Sequence, residues 1–277
     1  MLDRISRKEL EEIEHILSDK NKNILRSVWE LRYLTTNQIR RLYFTESSTD
    51  SAGLRAASRA LRKLKEMKLV AVLDRRIGGV RSGSGSYIWY MDAAGDHLLR
   101  LMESKARPRR RFFEPSAYFL AHTIAVSECY ILLIEICSDK KTKLTEIHGE
   151  PDSWRSMNSG GKITSLKPDL FAITLCESYE YRWFFEVDLD TESPAKIVDK
   201  CRRYHQYYQS GLEQKQYGVF PMVVWIVPDA VRKKRIGQCI HAEFSKLPNI
   251  FVVITPEELD ALIHQGVDDM ERTGYEI

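Results

Sequence analysis

Residues 166–193 read "LKPDLFAITLCESYEYRWFFEVDLDTES". Two runs rich in β-branched and aromatic residues, DLFAITL and YRWFFEVDL, flank the short polar stretch CESYE, a pattern of strand, turn and strand. Asp169 follows a proline and heads the first run, and Glu186 sits near the end of the second. If the two strands pair as neighbours, these carboxylates converge at one end of a sheet.

Two carboxylates, with water and a phosphate oxygen, are the oxygen ligands that Mg²⁺ prefers. A metal held there would activate water and stabilise charge developing on phosphate. Asp169 and Glu186 are therefore candidate catalytic residues and metal ligands, with Mg²⁺ as the candidate cofactor. Nucleases of the PD-(D/E)xK type carry a Lys two residues after the Glu, because side chains at i and i+2 share a strand face. Here Asp188 stands in that place. It adds a third carboxylate and removes a cation.

The helix expected at SPAKIVDKCRRYHQYYQSG sets Lys196, Lys200, Arg203, Tyr204 and Tyr207 along one face. Lys200 is the candidate replacement for the missing Lys. Tyr204 and Tyr207 are candidates to stack on nucleic acid or hydrogen-bond to it. The long apolar helix expected at YFLAHTIAVSECYILLIEICS carries two polar residues, His122 and Glu128, and Glu128 is a candidate extra acid. Plainer roles stay open for the same residues. Asp169 can be a strand-start residue, Glu186 and Asp188 can pair with Arg202 or Arg203, the tyrosines can be packing residues, and His122 can be a satisfied helix histidine.

Outward from this stretch, KLTEIHGE reads as a short strand, FPMVVWIVP as a buried strand, DAVRKKRIGQCIHAEFSK as a helix starting near Asp229, and NIFVVIT as a last strand. Strand and helix alternate after a hairpin-like pair, which predicts an α/β domain with a mixed sheet covered by helices.

The N-terminal half has a different pattern. NKNILRSVWELRYLTTNQIRRLYF gives two helical segments, the second capped by Thr35 or Thr36, and SAGLRAASRALRKLKEMKLV gives a third. LVAVLDRR and YIWYM read as strands around the loop IGGVRSGSGS, and AAGDHLLRLM as a closing helix. That order predicts a winged helix-turn-helix domain. In the third helix Ala57, Leu61 and Leu64 share one side, while Arg55, Arg59 and Arg62 share the other. An apolar back and a cationic front are what a recognition helix needs. Arg55, Arg59, Arg62 and Lys63 are candidate DNA contacts, joined by Arg76 and Arg81 of the loop on flanking phosphates and by Tyr204. SKARPRRRFFEPSAYF reads as a basic linker. The expected organisation is a DNA-binding domain over 1–104, a linker over 105–115 and an α/β domain over 116–277.

Charge divides the same way. Residues 1–112 hold 24 Lys/Arg and 14 Asp/Glu, a balance of +10, and residues 113–277 hold 18 and 25, a balance of −7. A basic half points to a polyanion partner, of which nucleic acid is the commonest. The five cysteines are odd in number and form no CxxC, which predicts reduced thiols and neither a zinc site nor a disulfide framework. The charged start lacks the apolar run of a signal peptide. FPMVVWIVP is far shorter than a membrane span. The expectation is a cytoplasmic protein with no membrane partner.

The segments LTTNQIRRLYF, RAASRALRKLKEMKLV, LKPDLFAI, WFFEVDLDTES, KCRRYHQYY and FPMVVWIVP together resemble the replication-relaxation family of plasmids and other mobile elements. The resemblance runs from about residue 20 to about residue 260. It implies an α+β chain: an N-terminal winged helix-turn-helix domain and a C-terminal PD-(D/E)xK nuclease-like domain. It also implies a role in the replication or DNA relaxation of a mobile element. In the family pattern Asp rather than Lys follows the Glu, so Asp188 is a shared feature.

Three functions follow as expectations. The first is a DNA-binding protein acting in replication, relaxation or maintenance of its element. Its candidate partners are double-stranded DNA, a second copy of the chain, and replication or conjugation proteins. The second is a Mg²⁺-dependent endonuclease or nickase using Asp169, Glu186 and Lys200 with Glu128 and Asp188. The third is a transcriptional regulator whose C-terminal domain senses a ligand or dimerises.

Overall fold

The computed structural model describes residues 5–73, 87–103, 113–139, 141–159, 161–177 and 179–272. Arg76, Arg81 and most of the basic linker lie outside them. Two compact units divide the chain, Met1–Ile131 and Leu132–Ile277.

In the first unit, local chemistry starts each helix. Ser6 and Glu9 cap each other's backbone at the head of α1 (Arg7–Ile16). The Ser18 hydroxyl accepts from Asn21 N–H at the head of α2 (Asp19–Leu31), whose Ile24, Leu25 and Val28 are fully buried. A short strand follows, β1 (Tyr33–Thr35). Thr35 then caps α3 (Thr36–Tyr43), with Gln38 completing the reciprocal pair. Thr49 caps α4 (Asp50–Glu66). After α4 come β2 (Val70–Val72), β3 (Ile88–Met91) and α5 (Ala93–Met102).

The three strands form an antiparallel sheet in the order β1-β3-β2, with Tyr33 opposite Tyr90 and Ala71 opposite Tyr90 on its other side. The sequence expectation had no β1. Three residues carry no periodicity, and this strand exists because β3 supplies its hydrogen-bond partners. Gly95 sits where α5 crosses β2. A Cβ there would lie 2.1 Å from the Leu69 carbonyl oxygen, so only glycine allows that approach.

The twenty-residue α6 (Ala117–Ile136) is long and apolar enough to cross a membrane by length and composition. This corrects the expectation that the longest apolar stretches, such as FPMVVWIVP, fall far short of a membrane span. It nevertheless makes polar contacts within the first unit. The Ser127 hydroxyl donates to the Tyr33 carbonyl at 3.2 Å, Gln38 Nε2 donates to the Ile124 carbonyl at 3.2 Å, and Arg41 pairs with Glu128. These contacts tie α6 to α3 and β1, and the division between units falls inside α6 rather than at residues 105–115.

The second unit begins with a 3₁₀ turn at Cys137–Asp139. Its strands are β4 (Thr142–Gly149), β5 (Arg155–Ser159), β6 (Lys162–Leu166), β7 (Leu170–Cys176) and β8 (Tyr179–Val187). Then follow α7 (Pro194–Gln209), α8 (Leu212–Tyr217), β9 (Met222–Ile226), α9 (Ala230–Phe244), β10 (Phe251–Ile254) and α10 (Leu259–Arg272).

Five strands make a mixed sheet ordered β10-β9-β8-β7-β4. β10, β9 and β8 run parallel, and β8, β7 and β4 alternate. The chain is thus of mixed α+β class with a mixed sheet. The β5–β6 hairpin stands apart as a two-stranded sheet and was not anticipated. Its sequence, RSMNSGGKITSL, has too few apolar residues to announce strands.

Phe184, Ile197, Cys201, Tyr204, Trp225, Ile236 and Ile240 share one core, so α7 and α9 cover the same side of the sheet. Asp229 accepts from Arg232 N–H at 2.8 Å and starts α9, as its sequence position predicted. The five cysteines are free thiols.

Candidate functional site

In the first unit α4 divides by face. Ala57, Leu61 and Leu64 are fully buried, and Arg55, Arg59, Arg62 and Lys63 are exposed. None of these four cations makes an ion pair among the described residues. A row of free guanidinium groups on a helix held rigid by its apolar back can meet phosphates or base edges.

In the second unit the β7–β8 ladder places the acids. Leu170 lies opposite Phe185, and Asp169 N–H donates to the Phe185 carbonyl at 3.1 Å. The Asp169 carboxylate returns the bond, accepting from Val187 N–H at 2.8 Å. Asp169 therefore sits beside Glu186, and both are buried, at 8% and 1% exposure. Glu186 points to the α7 side of the sheet. Lys200 donates to one of its oxygens and the Tyr204 hydroxyl to the other.

The structure thus brings Asp169, Glu186, Lys200 and Tyr204 into one cluster. Burial, and then the Asp169 charge, push the Glu186 carboxyl up to about 8, although Lys200 and Tyr204 partly offset them. Burial by itself would lower the Lys200 ammonium. The Glu186 and Asp169 charges outweigh it and hold Lys200 above its ordinary value.

Other expected members are engaged elsewhere. Asp188 shares the Glu186 side of the sheet, but it pairs with Arg232 of α9 at 2.6 Å, both side chains nearly inaccessible. Arg232 also bonds Asp190 at 2.8 Å and the Glu192 carbonyl at 2.7 Å, so it ties the 188–192 segment to the start of α9. Arg202, considered as an acid's partner, instead pairs with Glu243 and Asp199. Glu128 bonds Arg41 and Gln38, so its carboxylate is engaged within the first unit.

Tyr204 is fully buried and Tyr207 is 4% exposed, with its hydroxyl donating to Glu213 at 2.8 Å. Neither ring has a face to offer a nucleobase, so the stacking expectation for both is withdrawn. His122 lies against Tyr118, with ring centres 6.3 Å apart. Lys196 and Arg203 are exposed while Lys200 turns inward, so the expected single face of α7 splits. Arg232 was the residue missed. It lies 44 residues beyond Asp188, and no local spacing links the two.

The fit to Mg²⁺ is poor in this arrangement. Both Glu186 oxygens are used by Lys200 and Tyr204, and one Asp169 oxygen by backbone. Among the described residues no three His, Cys, Asp or Glu side chains form a group that could hold a metal ion. The Lys200 ammonium takes the position on Glu186 that a cation would need.

The sequence model of the family described as replication-relaxation matches residues 25–223. The chain belongs to the replication-relaxation family. The match spans both α4 and the Asp169–Glu186–Lys200 cluster, so the two features lie within one family region. No curated protein matches this replication-relaxation chain. Among solved structures it is similar to the restriction endonuclease FokI bound to DNA, at 13% identity and a TM-score of 0.27, over 98% of this chain and 51% of that one. The chain spans about half the length of that structure, and a likeness this loose carries no argument.

Proposed function

We propose that this protein binds double-stranded DNA through its N-terminal unit and acts in the replication, relaxation or maintenance of a mobile element. In this reading Met1–Ile131 is a winged helix-turn-helix domain with α4 as the recognition helix. The observation that carries it is the exposed row Arg55, Arg59, Arg62 and Lys63, set opposite a fully buried apolar face. The basic balance of residues 1–112 supports it by drawing polyanions. Membership of the replication-relaxation family supports the mobile-element role. A second copy of the chain, or replication or conjugation proteins, are the protein partners that fit this role.

The test is a titration of labelled duplex DNA with the full chain and with Arg55→Ala/Arg59→Ala/Arg62→Ala. Loss of affinity in the variant, with its thermal unfolding unchanged, supports the reading. Equal affinity in both proteins rejects α4 as the DNA element.

A Mg²⁺-dependent nickase is the second reading. It is favoured by Lys200, which reaches Glu186 from α7 although Asp188 occupies the usual Lys position. It requires Lys200 and Tyr204 to release Glu186. The assay is cleavage of supercoiled DNA with Mg²⁺ or Mn²⁺, beside Glu186→Ala and Lys200→Ala. Nicking lost in both variants supports it, and intact DNA under every metal tested rejects it.

A further inference from the structure

The β5–β6 hairpin has no part in the readings above. It is a two-stranded ribbon apart from the main sheet, and its register sorts its side chains into two faces. Arg155 lies opposite Leu166 and Met157 opposite Thr164, while Ser156 lies opposite Ser165 and Asn158 opposite Ile163. Directly opposed residues share a face. Met157 and Leu166 are buried in the core that holds Tyr204 of α7. Arg155 bonds Glu213 of α8 at 2.8 Å and lies 4.4 Å from the Phe171 ring centre. This inward face fixes the ribbon on α7, α8 and the sheet. Ser156, Asn158, Ile163 and Ser165 of the other face are all exposed, and Ile163 keeps 77% of its surface in solvent.

The composition of the outward face narrows its partner. Two hydroxyls and an amide surround one aliphatic group, and Ser156, Asn158 and Ser165 make no side-chain hydrogen bond among the described residues. Protein interfaces centre on aromatic side chains and are poor in Ser and Lys, so a protein partner finds little to bury here. Base edges call for this set. Asn bonds the N6 and N7 edge of adenine, Ser bonds either kind of edge, and an apolar side chain meets the thymine methyl. Asn158 and Ile163, as cross-strand partners, stand about 5 Å apart at Cβ. The major groove, about 12 Å wide, admits a two-stranded ribbon.

Cations for the phosphates lie beside the ribbon. Lys196, Arg203 and Tyr207 follow one line along α7, at offsets 0, 7 and 11. Tyr207 donates to Glu213, which the ribbon's Arg155 also bonds, so this line borders the ribbon. Lys196 and Arg203 are exposed, and neither side chain has an ion pair among the described residues. Asp199 of the same helix is spent on Arg202 at 2.5 Å. Asp152 is exposed near the foot of the ribbon and works against a phosphate there.

We propose that the β5–β6 ribbon is a second DNA-reading element, which enters the major groove with Asn158 and Ile163 on A·T pairs while Lys196 and Arg203 of α7 hold the flanking phosphates. The proposal rests on the reading of DNA as the partner and does not rest on α4. The ribbon ends at Leu166, three residues before Asp169, so duplex held there passes beside the Asp169–Glu186 cluster.

The experiment titrates the full chain, over a range of salt, with two labelled duplexes of equal length, one of A·T pairs and one of G·C pairs. Asn158→Ala/Ile163→Ala should lower the ratio of A·T to G·C affinity about tenfold relative to the wild type. Lys196→Ala/Arg203→Ala should reduce the slope of log affinity against log salt by about 0.9 for each cation. These variants change exposed side chains, and their thermal unfolding should match the wild type. An unchanged ratio, an equal loss on both duplexes, or an unchanged salt slope overturns the proposal.

Asn158→Asp keeps the shape of the side chain and sets a carboxylate against adenine N7, so it should weaken A·T binding more than Asn158→Ala does. Wild-type affinity in Asn158→Asp overturns the proposal. Arg55→Ala/Arg59→Ala/Arg62→Ala separates the two surfaces. If that variant binds both duplexes as the wild type does, the α4 reading fails and the ribbon comparison stands. If the wild type binds neither duplex, both readings fail. A ribbon variant that converts a dimer to a monomer in sedimentation, with DNA affinity unchanged, assigns this face to a second copy of the chain and overturns the proposal.

Discussion

Lys200 and Glu186 are bonded, ammonium to carboxyl, across fourteen residues of chain, and the carboxyl is only 1% exposed. A carboxylate this deep beside Asp169 needs a cation. Lys200 supplies it from α7, where the strand supplies only Asp188. Removing Lys200 leaves two buried acids together. Above pH 8, where Glu186 is ionised, Lys200→Met should cost about 3 kcal/mol in urea unfolding, and Lys200→Met/Glu186→Gln should recover part of that loss. An equal loss in the single and double variants would mean that the pair is not coupled.

The Glu186 carboxyl also sets a pH dependence. Its folded value near 8 lies above the ordinary 4.5, so the folded chain keeps a proton that the unfolded chain loses between those values. Stability from this group is therefore greatest below about pH 4.5, falls as pH rises and levels off above 8. The slope is at most about 1.4 kcal/mol per pH unit. Unfolding curves of the wild type minus those of Glu186→Gln should trace that decline from pH 5.5 to 8. A flat difference would place the Glu186 value in the ordinary range.

Arg232 should respond unequally to its two acids. Asp188 is buried with it and Asp190 is half exposed. Asp188→Ala strands a buried cation and should cost about 3–5 kcal/mol. Asp190→Ala should cost less than about 1 kcal/mol. Equal losses in chemical denaturation would show that the 188–192 segment is held by something other than this burial.

Duplex affinity should fall with salt. If the α4 cations contact phosphate, each one removed should reduce the slope of log affinity against log salt by about 0.9. A lower affinity with an unchanged slope would assign that residue to base edges instead.

Glycines separate by their surroundings. Gly95→Ala pushes a methyl into the Leu69 carbonyl and should cost about 3 kcal/mol. Gly237 in α9 has nothing within 4 Å of an added Cβ. Gly237→Ala should be neutral or stabilise by up to about 1 kcal/mol. Thermal unfolding of the two variants checks both signs.

Local patterns were legible in the sequence wherever neighbours in the chain decide the structure. The cap at Thr35 or Thr36, the Asp229 cap, the two faces of α4, the β7–turn–β8 pair and the alternation that follows depend on spacings of a few residues. Those spacings also placed Asp169, Glu186 and Lys200 on elements able to meet. Tertiary packing decided the rest. Arg232 finds Asp188 across 44 residues, Glu128 turns to Arg41, and Tyr204 is sealed beneath the sheet. The strand β1 forms only because β3 lies beside it. Burial selects these partners, since a charge removed from water must take whichever opposite charge the fold brings within reach, however distant in sequence.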